Sequence, residues 1–312
     1  MKLFAGRSNP KLAQEIADEL GMPLGALTIR NFRDGEIWVK FEENIRNEDV
    51  FIIQSTNPPA DNIIELMLLL DAARRASAYS VTAVVPYYGY ARQDRKDKPR
   101  VPISARLFLD TFEAVGASRI ITMDLHSPQI QGFVNIPFDH LYSRLVLLER
   151  LKREGLTNET GVVLSPDMGS ARMGQAYARY LDVGFALIDK RRPSPNRAEV
   201  VHLVGHLTDR HVLVIDDMVD TGGTLISAAE AAVENGALSV TAIATHALFS
   251  GPASADLQRS PIDHIIVTNT IDFQTKGLED KLEVISVAKI FAASIRRITA
   301  GQSLSSLFEL ES

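Results

Sequence analysis

The chain has 312 residues, 33 basic and 39 acidic, and its net charge of −6 gives no general reason to expect a nucleic-acid partner. No apolar run approaches the roughly 20 residues that a spanning helix needs, and the start, MKLFAGRSNP, lacks the apolar core of a signal peptide. Without cysteine, disulfides and thiolate metal sites are excluded, so a cytoplasmic protein with no membrane contact is expected, long enough for two domains.

Leu3 and Phe4 open a short strand. Asn9-Pro10 then supplies an N-cap and first-turn proline for a helix with Leu12, Ile16, Ala17 and Leu20 on one face, ended by Gly21. A polar interlude, Asn31-Phe32-Arg33-Asp34-Gly35-Glu36, leads into Ile37, Val39 and Phe41, whose alternation predicts a strand with one solvated face. An aromatic beside two acids can stack on a purine while a carboxylate accepts from an exocyclic amine; spacing alone favours Phe32 as a core anchor in an Asp-Gly turn.

Val50 to Val84 and Val212 to Ile243 share one plan: an apolar strand, a small-residue loop, a long helix rich in alanine and other apolar positions, and a second strand beginning Val-Thr-Ala. Corresponding points lie about 160 positions apart, the spacing of a duplicated α/β unit. The first copy carries Gln54, Ser55, Asn57, Pro58 and Pro59 in its loop and offers no paired carboxylates.

The strand over Val81 to Val85 runs into Pro86-Tyr87-Tyr88-Gly89-Tyr90 and the charged stretch from Arg92, Gln93 and Asp94 to Arg100, which reads either as a phosphate- and base-binding segment or as a solvated loop. A helix over Ile103 to Val115 stops at Gly116. The buried strand Ile120 to Met123 then ends in Asp124-Leu125-His126, where His126 is either a metal ligand or a hydrogen-bonded structural residue.

The second half starts near Leu141 with a helix to about Arg153. Gly161 to Ser170 is a strand feeding Asp167 and a glycine turn, either an anion cradle with a metal-binding acid or an ordinary connection. Ala186-Leu187-Ile188 leads to Asp189-Lys190-Arg191-Arg192-Pro193-Ser194-Pro195-Asn196-Arg197, expected to be a mobile basic loop that closes on a phosphate chain or makes a solvated excursion. His202 and His206 read as structural, since Leu203 stands where a zinc-protease helix needs glutamate. Strands near Val240 to Thr245 and Ile265 to Thr268 and a helix around Ile290 to Arg297 complete the chain.

The richest stretch is VLVIDDMVDTGGT, Val212 to Thr224. Val212 to Ile215 read as a buried strand, followed by a loop with Asp216, Asp217, Asp220, Thr221, Gly222, Gly223 and Thr224 and then a helix. Glycines at a helix N-terminus let backbone N–H groups face one phosphate closely. Three aspartates argue against a triphosphate in the same loop and suit a ribose diol, bound directly or through a divalent ion. The loop therefore fits a ribose 5-phosphate moiety.

FRDGE, YYGYARQDRK, MDLHS, SPDMG, DKRRPSPN and DDMVDTGGT together resemble the ribose-phosphate pyrophosphokinase (PRPP synthetase) family, nearly end to end. The resemblance implies an α/β fold of two tandem phosphoribosyltransferase-like domains, residues 1–140 and 141–312, each with a mainly parallel sheet flanked by helices, the last helix returning to the first domain. It implies transfer of pyrophosphate from MgATP to D-ribose 5-phosphate in a homohexamer. ATP contacts are implied at Phe32, Asp34, Gly35, Glu36, Arg92, Gln93 and Asp94, and magnesium at His126 and Asp167. Lys190 and Arg192 are implied in catalysis, and Arg192, Asp216, Asp217 and Asp220 to Thr224 at ribose 5-phosphate. Asp217 is either a base for the 1-hydroxyl or a ligand of the diol. One departure is Gly169-Ser170-Ala171-Arg172, where many members have two glycines; serine resists positive φ. Two rivals are a phosphoribosyltransferase, which would share the acidic loop, and a silent regulatory or assembly subunit, which would be expected to lose Lys190, Arg192, His126 or that loop.

Overall fold

The computed structural model describes residues 1–191, 200–274 and 277–307. The chain forms two units, one of Met1–Ser143, Thr270–Asp272 and Ser286–Ser312, the other of Arg144–Asn269 and Phe273–Ile285. Among the described residues no helix is long and apolar enough to cross a membrane.

In the first unit the elements run β1 (Lys2–Ala5), α1 (Pro10–Leu20), β2 (Leu27–Asn31), β3 (Ile37–Phe41), β4 (Asp49–Ile53), α2 (Asp61–Arg75), β5 (Ser80–Val85), α3 (Ser104–Val115), β6 (Arg119–Met123) and β7 (Phe138–Leu141). The sheet order is β1-β4-β5-β6-β7, and every neighbouring pair is parallel. β2 and β3 form a separate antiparallel hairpin. Local signals act as their chemistry requires: Asn9 accepts from the Leu12 N–H at 3.1 Å to cap α1, and Gly21 closes it at φ 70°. The core joins Phe4, Ile52, Leu66, Leu70, Ala83, Phe112 and Ile120 between sheet and helices.

The second unit contains α4 (Arg144–Lys152), β8 (Gly161–Ser165), α5 (Ala171–Leu181), β9 (Gly184–Arg191), β10 (Val200–Val204), β11 (His211–Val219), α6 (Gly223–Glu234), β12 (Ser239–Ala247), α7 (Ala253–Arg259), β13 (His264–Thr268) and β14 (Leu282–Ile285). Its sheet order is β10-β9-β8-β11-β12-β13-β14, parallel except for the antiparallel pair of β9 and β10. Strands β8-β11-β12-β13-β14 thus repeat the order of β1-β4-β5-β6-β7. The last helix, α8 (Ala288–Thr299), belongs to the first unit, where Ser286 Oγ donates to Glu15 at 2.6 Å.

In the second unit β8 leads through α5 to β9 on one side, whereas β11 lies on the other. The carboxyl ends of β8 and β11 therefore flank a point where strand order reverses, the place where open α/β sheets form a ligand crevice.

Candidate active site

Three features of β11 and its neighbours open this crevice. The apolar run Val212 to Ile215 is buried, as its composition demands, but the strand does not stop there. Pairing with β12 continues through Asp216↔Ala244 and Met218↔His246 to Val219↔Ala247, so Asp216 and Asp217 lie on the strand rather than in the loop expected for them. On the other side the ladder to β8 ends at Val214↔Leu164, and β8 itself ends at Ser165. From Asp216 onward one edge of β11 thus has no β8 partner, and the strand carries two consecutive carboxylates there.

The carboxyl of Asp216 is pushed up to about 8, first by burial, then by the carboxylates of Asp217 and Asp167; the Asp217 N–H, donating to Asp216 Oδ1 at 2.9 Å, offsets part of this.

Asp220, Thr221 and Gly222 make the turn. Gly222 adopts φ 80° as the residue preceding α6, and a Cβ there would stand 3.1 Å from the Leu257 side chain, so conformation and space both select glycine. No side chain caps α6 and no acid occupies its first turn, while Gly223 and Thr224 are exposed. The first amides of the helix are therefore presented to an anion, a few residues from the aspartates.

After β8, Asp167 accepts from the Ser170 N–H at 3.0 Å and the Ser170 hydroxyl at 3.3 Å, both on Oδ1. Ser170 sits at φ −84°, in the right-handed region, so the expected conflict between serine and a positive φ does not arise. Its hydroxyl also donates to the Asp167 carbonyl at 3.2 Å, which fixes the turn from both sides.

Lys190 is placed by its backbone on β9, paired with Val201, rather than in a loop; its side chain and all of Arg192 lie outside the described residues. The hairpin with β10 accounts for this, because antiparallel pairing extends β9 as far as Arg191↔Val200. His202 and His206 are both exposed, His202 on a strand rather than a helix.

In the first unit, Phe32, Asp34, Gly35 and Glu36 form the exposed tip of the β2–β3 hairpin. The core-anchor reading of Phe32 is wrong: the ring is 48% exposed. The core contacts of this hairpin come instead from Leu27, Ile29, Val39 and Phe41. The tip is ordered by Phe32 N–H to Glu36 O at 2.8 Å, Gly35 N–H to Phe32 O at 3.0 Å and Glu36 N–H to Asp34 Oδ1 at 3.1 Å, with Gly35 at φ 100°. Arg92 and Gln93 are exposed and Asp94 is half-buried, and Gln93 Oε1 accepts from Ser104 Oγ at 2.9 Å. The tyrosines before them divide: Tyr87 and Tyr88 are buried, while Tyr90 lies against Phe108 with centroids 4.8 Å apart.

His126 is exposed beyond β6. The buried histidine of that corner is His140, which the sequence did not single out; its Nε2 accepts from the Leu125 N–H at 2.9 Å.

The degenerate loop after β4 is filled from within. Gln54 is buried, its Oε1 accepting from the Ser8 N–H at 3.0 Å and the Ser8 hydroxyl at 2.7 Å, and its Nε2 donating to Glu65 at 3.1 Å. Asp61 occupies the first turn of α2, where its charge opposes an anion. Glu65, buried in α2, escaped notice; a lone carboxylate inside NIIELMLLL is the signal that could have found it.

A mainly parallel sheet with carboxylates at its reversal point, beside a helix start without a side-chain cap, forms a crevice of the kind in which open α/β folds bind ligands. Residues 1–116 match the N-terminal domain of ribose phosphate pyrophosphokinase, and residues 192–309 match the phosphoribosyl synthetase-associated domain. Ribose-phosphate pyrophosphokinase of Chlorobaculum tepidum is 49% identical over 99% of this chain and 95% of its own length. That of Aquifex aeolicus is 48% identical over 99% of both. The crystal structure of phosphoribosylpyrophosphate synthetase from Mycobacterium smegmatis superposes with a TM-score of 0.89 at 38% identity, covering 96% of this chain and 99% of that one. The chain belongs to the ribose-phosphate pyrophosphokinase family.

Proposed function

We propose that this chain is an active ribose-phosphate pyrophosphokinase, which transfers the β,γ-pyrophosphoryl group of MgATP to the 1-hydroxyl of D-ribose 5-phosphate and yields PRPP and AMP. The observation that carries the reading is the pairing of Asp216 and Asp217 with the uncapped start of α6 at the end of one strand. The amides of Gly223 and Thr224 hold the 5-phosphate, with Asp220, Thr221 and Gly222 shaping the turn. Asp216 and Asp217 accept from the ribose hydroxyls. Phe32 stacks on adenine, with Asp34, Gly35 and Glu36 around the base, and Arg92, Gln93 and Asp94 complete the ATP site. Lys190 and Arg192 neutralise the transferring phosphates, Arg192 also meeting ribose 5-phosphate.

Magnesium fits the donors present. Among the described residues no group of three or more His, Asp or Glu side chains is assembled around one point. Mg²⁺ does not require such a cage, being held mostly by one or two carboxylates, water and substrate phosphates. The carboxylates of Asp217 and Asp167 lie close enough to act on that of Asp216, which places hard oxygen donors of the kind Mg²⁺ takes near one another. His126 and Asp167 are the proposed ligands. When bound, the ion supplies charge neutralisation on phosphate oxygens. The protein's own part is positioning: the crevice holds the 1-hydroxyl oxygen in line with the β-phosphorus, the new P–O bond forms as the hydroxyl proton passes to the Asp217 carboxylate or to solvent, the bond to the α-phosphate oxygen breaks, and its electron pair leaves on AMP.

The enzyme is proposed to act in the cytoplasm as a homohexamer in which a neighbouring subunit completes each adenine site. Incubation of the purified protein with MgATP and ribose 5-phosphate is expected to give AMP and PRPP in equal amounts. AMP without PRPP, or neither product, would overturn the reading.

A further inference from the structure

The tip of the β2–β3 hairpin stands clear of the core, with every residue from Asn31 to Glu36 exposed. The body of the hairpin packs on the core and the turn has hydrogen bonds of its own, and a tether from outside the hairpin restricts the tip further. Arg7 supplies one. Its Nη1 donates to Asn31 Oδ1 at 2.7 Å, and Asn31 Nδ2 donates onward to the Gly35 carbonyl at 2.8 Å, inside the turn that carries Phe32. Arg7 is itself fixed to a buried carboxylate: its Nε donates to Glu65 Oε2 and its backbone N–H to Glu65 Oε1, both at 2.6 Å. Gly6 makes this approach possible, since a Cβ there would lie 2.2 Å from Gln54 Oε1 and 2.8 Å from Glu65 Oε1. Arg30 adds a clamp within the hairpin, its guanidinium 4.4 Å from the Trp38 ring and 5.9 Å from that of Phe32.

We propose that Glu65, Arg7 and Asn31 are positioning residues for the nucleotide: a relay from a buried carboxylate, through a guanidinium, to the turn that presents Phe32 to adenine. It rests on the reading of that turn as the adenine site. The relay holds the turn in its binding shape before ATP arrives, so ordering cost is removed from ATP binding and from no other step. It acts through Phe32 and Gly35 and touches no reacting atom. The planar guanidinium suits this task, because one side chain must reach Glu65 and Asn31 in different directions.

Asn31 is exposed and its replacement leaves the Glu65–Arg7 pair intact, so Asn31→Ala is the primary test. It is expected to raise KM for ATP about fivefold, with KM for ribose 5-phosphate and kcat changed less than about twofold. Arg7→Lys, which has a single nitrogen to share between two acceptors, is expected to give the same ATP-selective effect, and the double variant no more than the larger single one. Trp38 is the sole tryptophan, so its emission reports this hairpin directly and is expected to shift in both variants without any assay of turnover. KM values that rise together, or that stay at wild type, overturn the relay. Phe32→Ala separates the two levels of the claim. A raised KM for ATP in Phe32→Ala with none in Asn31→Ala refutes the relay and keeps the adenine reading, whereas an unchanged KM for ATP in Phe32→Ala removes the adenine reading and the relay with it.

Discussion

Replacing Asp216 with asparagine tests the electrostatics of the crevice. Burial and the neighbouring carboxylates of Asp217 and Asp167 push the Asp216 carboxyl from 3.8 to about 8 in the folded chain. The folded protein thus keeps a proton that the unfolded chain has already released, and stability contributed by this group is present in full below 3.8 and lost as pH rises to about 8. Each pH unit across that window removes about 1.4 kcal/mol, so between about pH 5 and pH 8 the upper bound is roughly 4 kcal/mol. Asp217 shares the proton and spreads the loss, which brings the expected difference to ~2 kcal/mol. An asparagine side chain has no charge to bury and keeps an oxygen for the Asp217 N–H. In ligand-free thermal unfolding, Asp216→Asn is therefore expected to melt close to wild type near pH 5 and about 4–8 °C above it near pH 8. Added ribose 5-phosphate with Mg²⁺ should narrow that gap, since the sugar hydroxyls proposed to meet residue 216 donate more strongly to a carboxylate than to an amide oxygen. A gap that stays constant with pH, or that favours wild type at high pH, would refute the account of this site.

Gly222→Ala places a Cβ in left-handed backbone and 3.1 Å from Leu257; a cost of about 1–2 kcal/mol is expected from the conformation alone, seen as a lower melting temperature. The same variant should raise KM for ribose 5-phosphate more than tenfold while leaving KM for ATP near wild type, because the helix-start amides lose their presentation; equal effects on both would count against the phosphate role. A variant held as a monomer, verified by light scattering, is expected to lack activity, and a fully active monomer would remove the proposal that a neighbour completes the adenine site.

Much of the fold could be read from local chemistry. The cap at Asn9, the stop at Gly21 and the buried runs Val50 to Ile53, Ile120 to Met123 and Val212 to Ile215 carried strong signals, and all three runs lie in strands with parallel neighbours on both sides. One margin of each sheet was not legible. β7 and β14 are four-residue strands, FDHL and LEVI, too short to show a period, and each pairs along the edge left open by β6 or β13. Where β11 ends was equally hidden, since Asp216 and Asp217 read as loop residues and only the register with β12 makes them strand. Phe32 failed for the opposite reason: aromatic residues usually mark a core, and no local signal says that the hairpin has turned this one outward. The charged network of Glu65, Arg7 and Asn31 spans residues 58 and 24 positions apart, beyond any periodicity.

The repeat gives these pieces a common logic. In each unit a strand, a helix and then an antiparallel hairpin precede the strand whose loop decides the chemistry: β1, α1, β2–β3 and β4 in one, β8, α5, β9–β10 and β11 in the other. The two hairpins occupy the same place in the chain order, and they carry the two segments proposed to act on ATP, Phe32 to Glu36 at the tip of one and Lys190 near the end of β9 in the other. They have diverged in attachment. β9 joins the sheet beside β8, so Lys190 is carried by a strand that continues the central ladder, whereas among the described residues β2–β3 forms a two-stranded sheet held by apolar contacts and by Arg7. The loops after β4 and β11 diverged in content. Gln54 closes the first with hydrogen bonds to Ser8 and Glu65, and the same Glu65 holds Arg7. One carboxylate thus joins the two features of the first unit: Glu65 accepts from the Gln54 that fills the loop after β4 and from the Arg7 that reaches the proposed adenine turn.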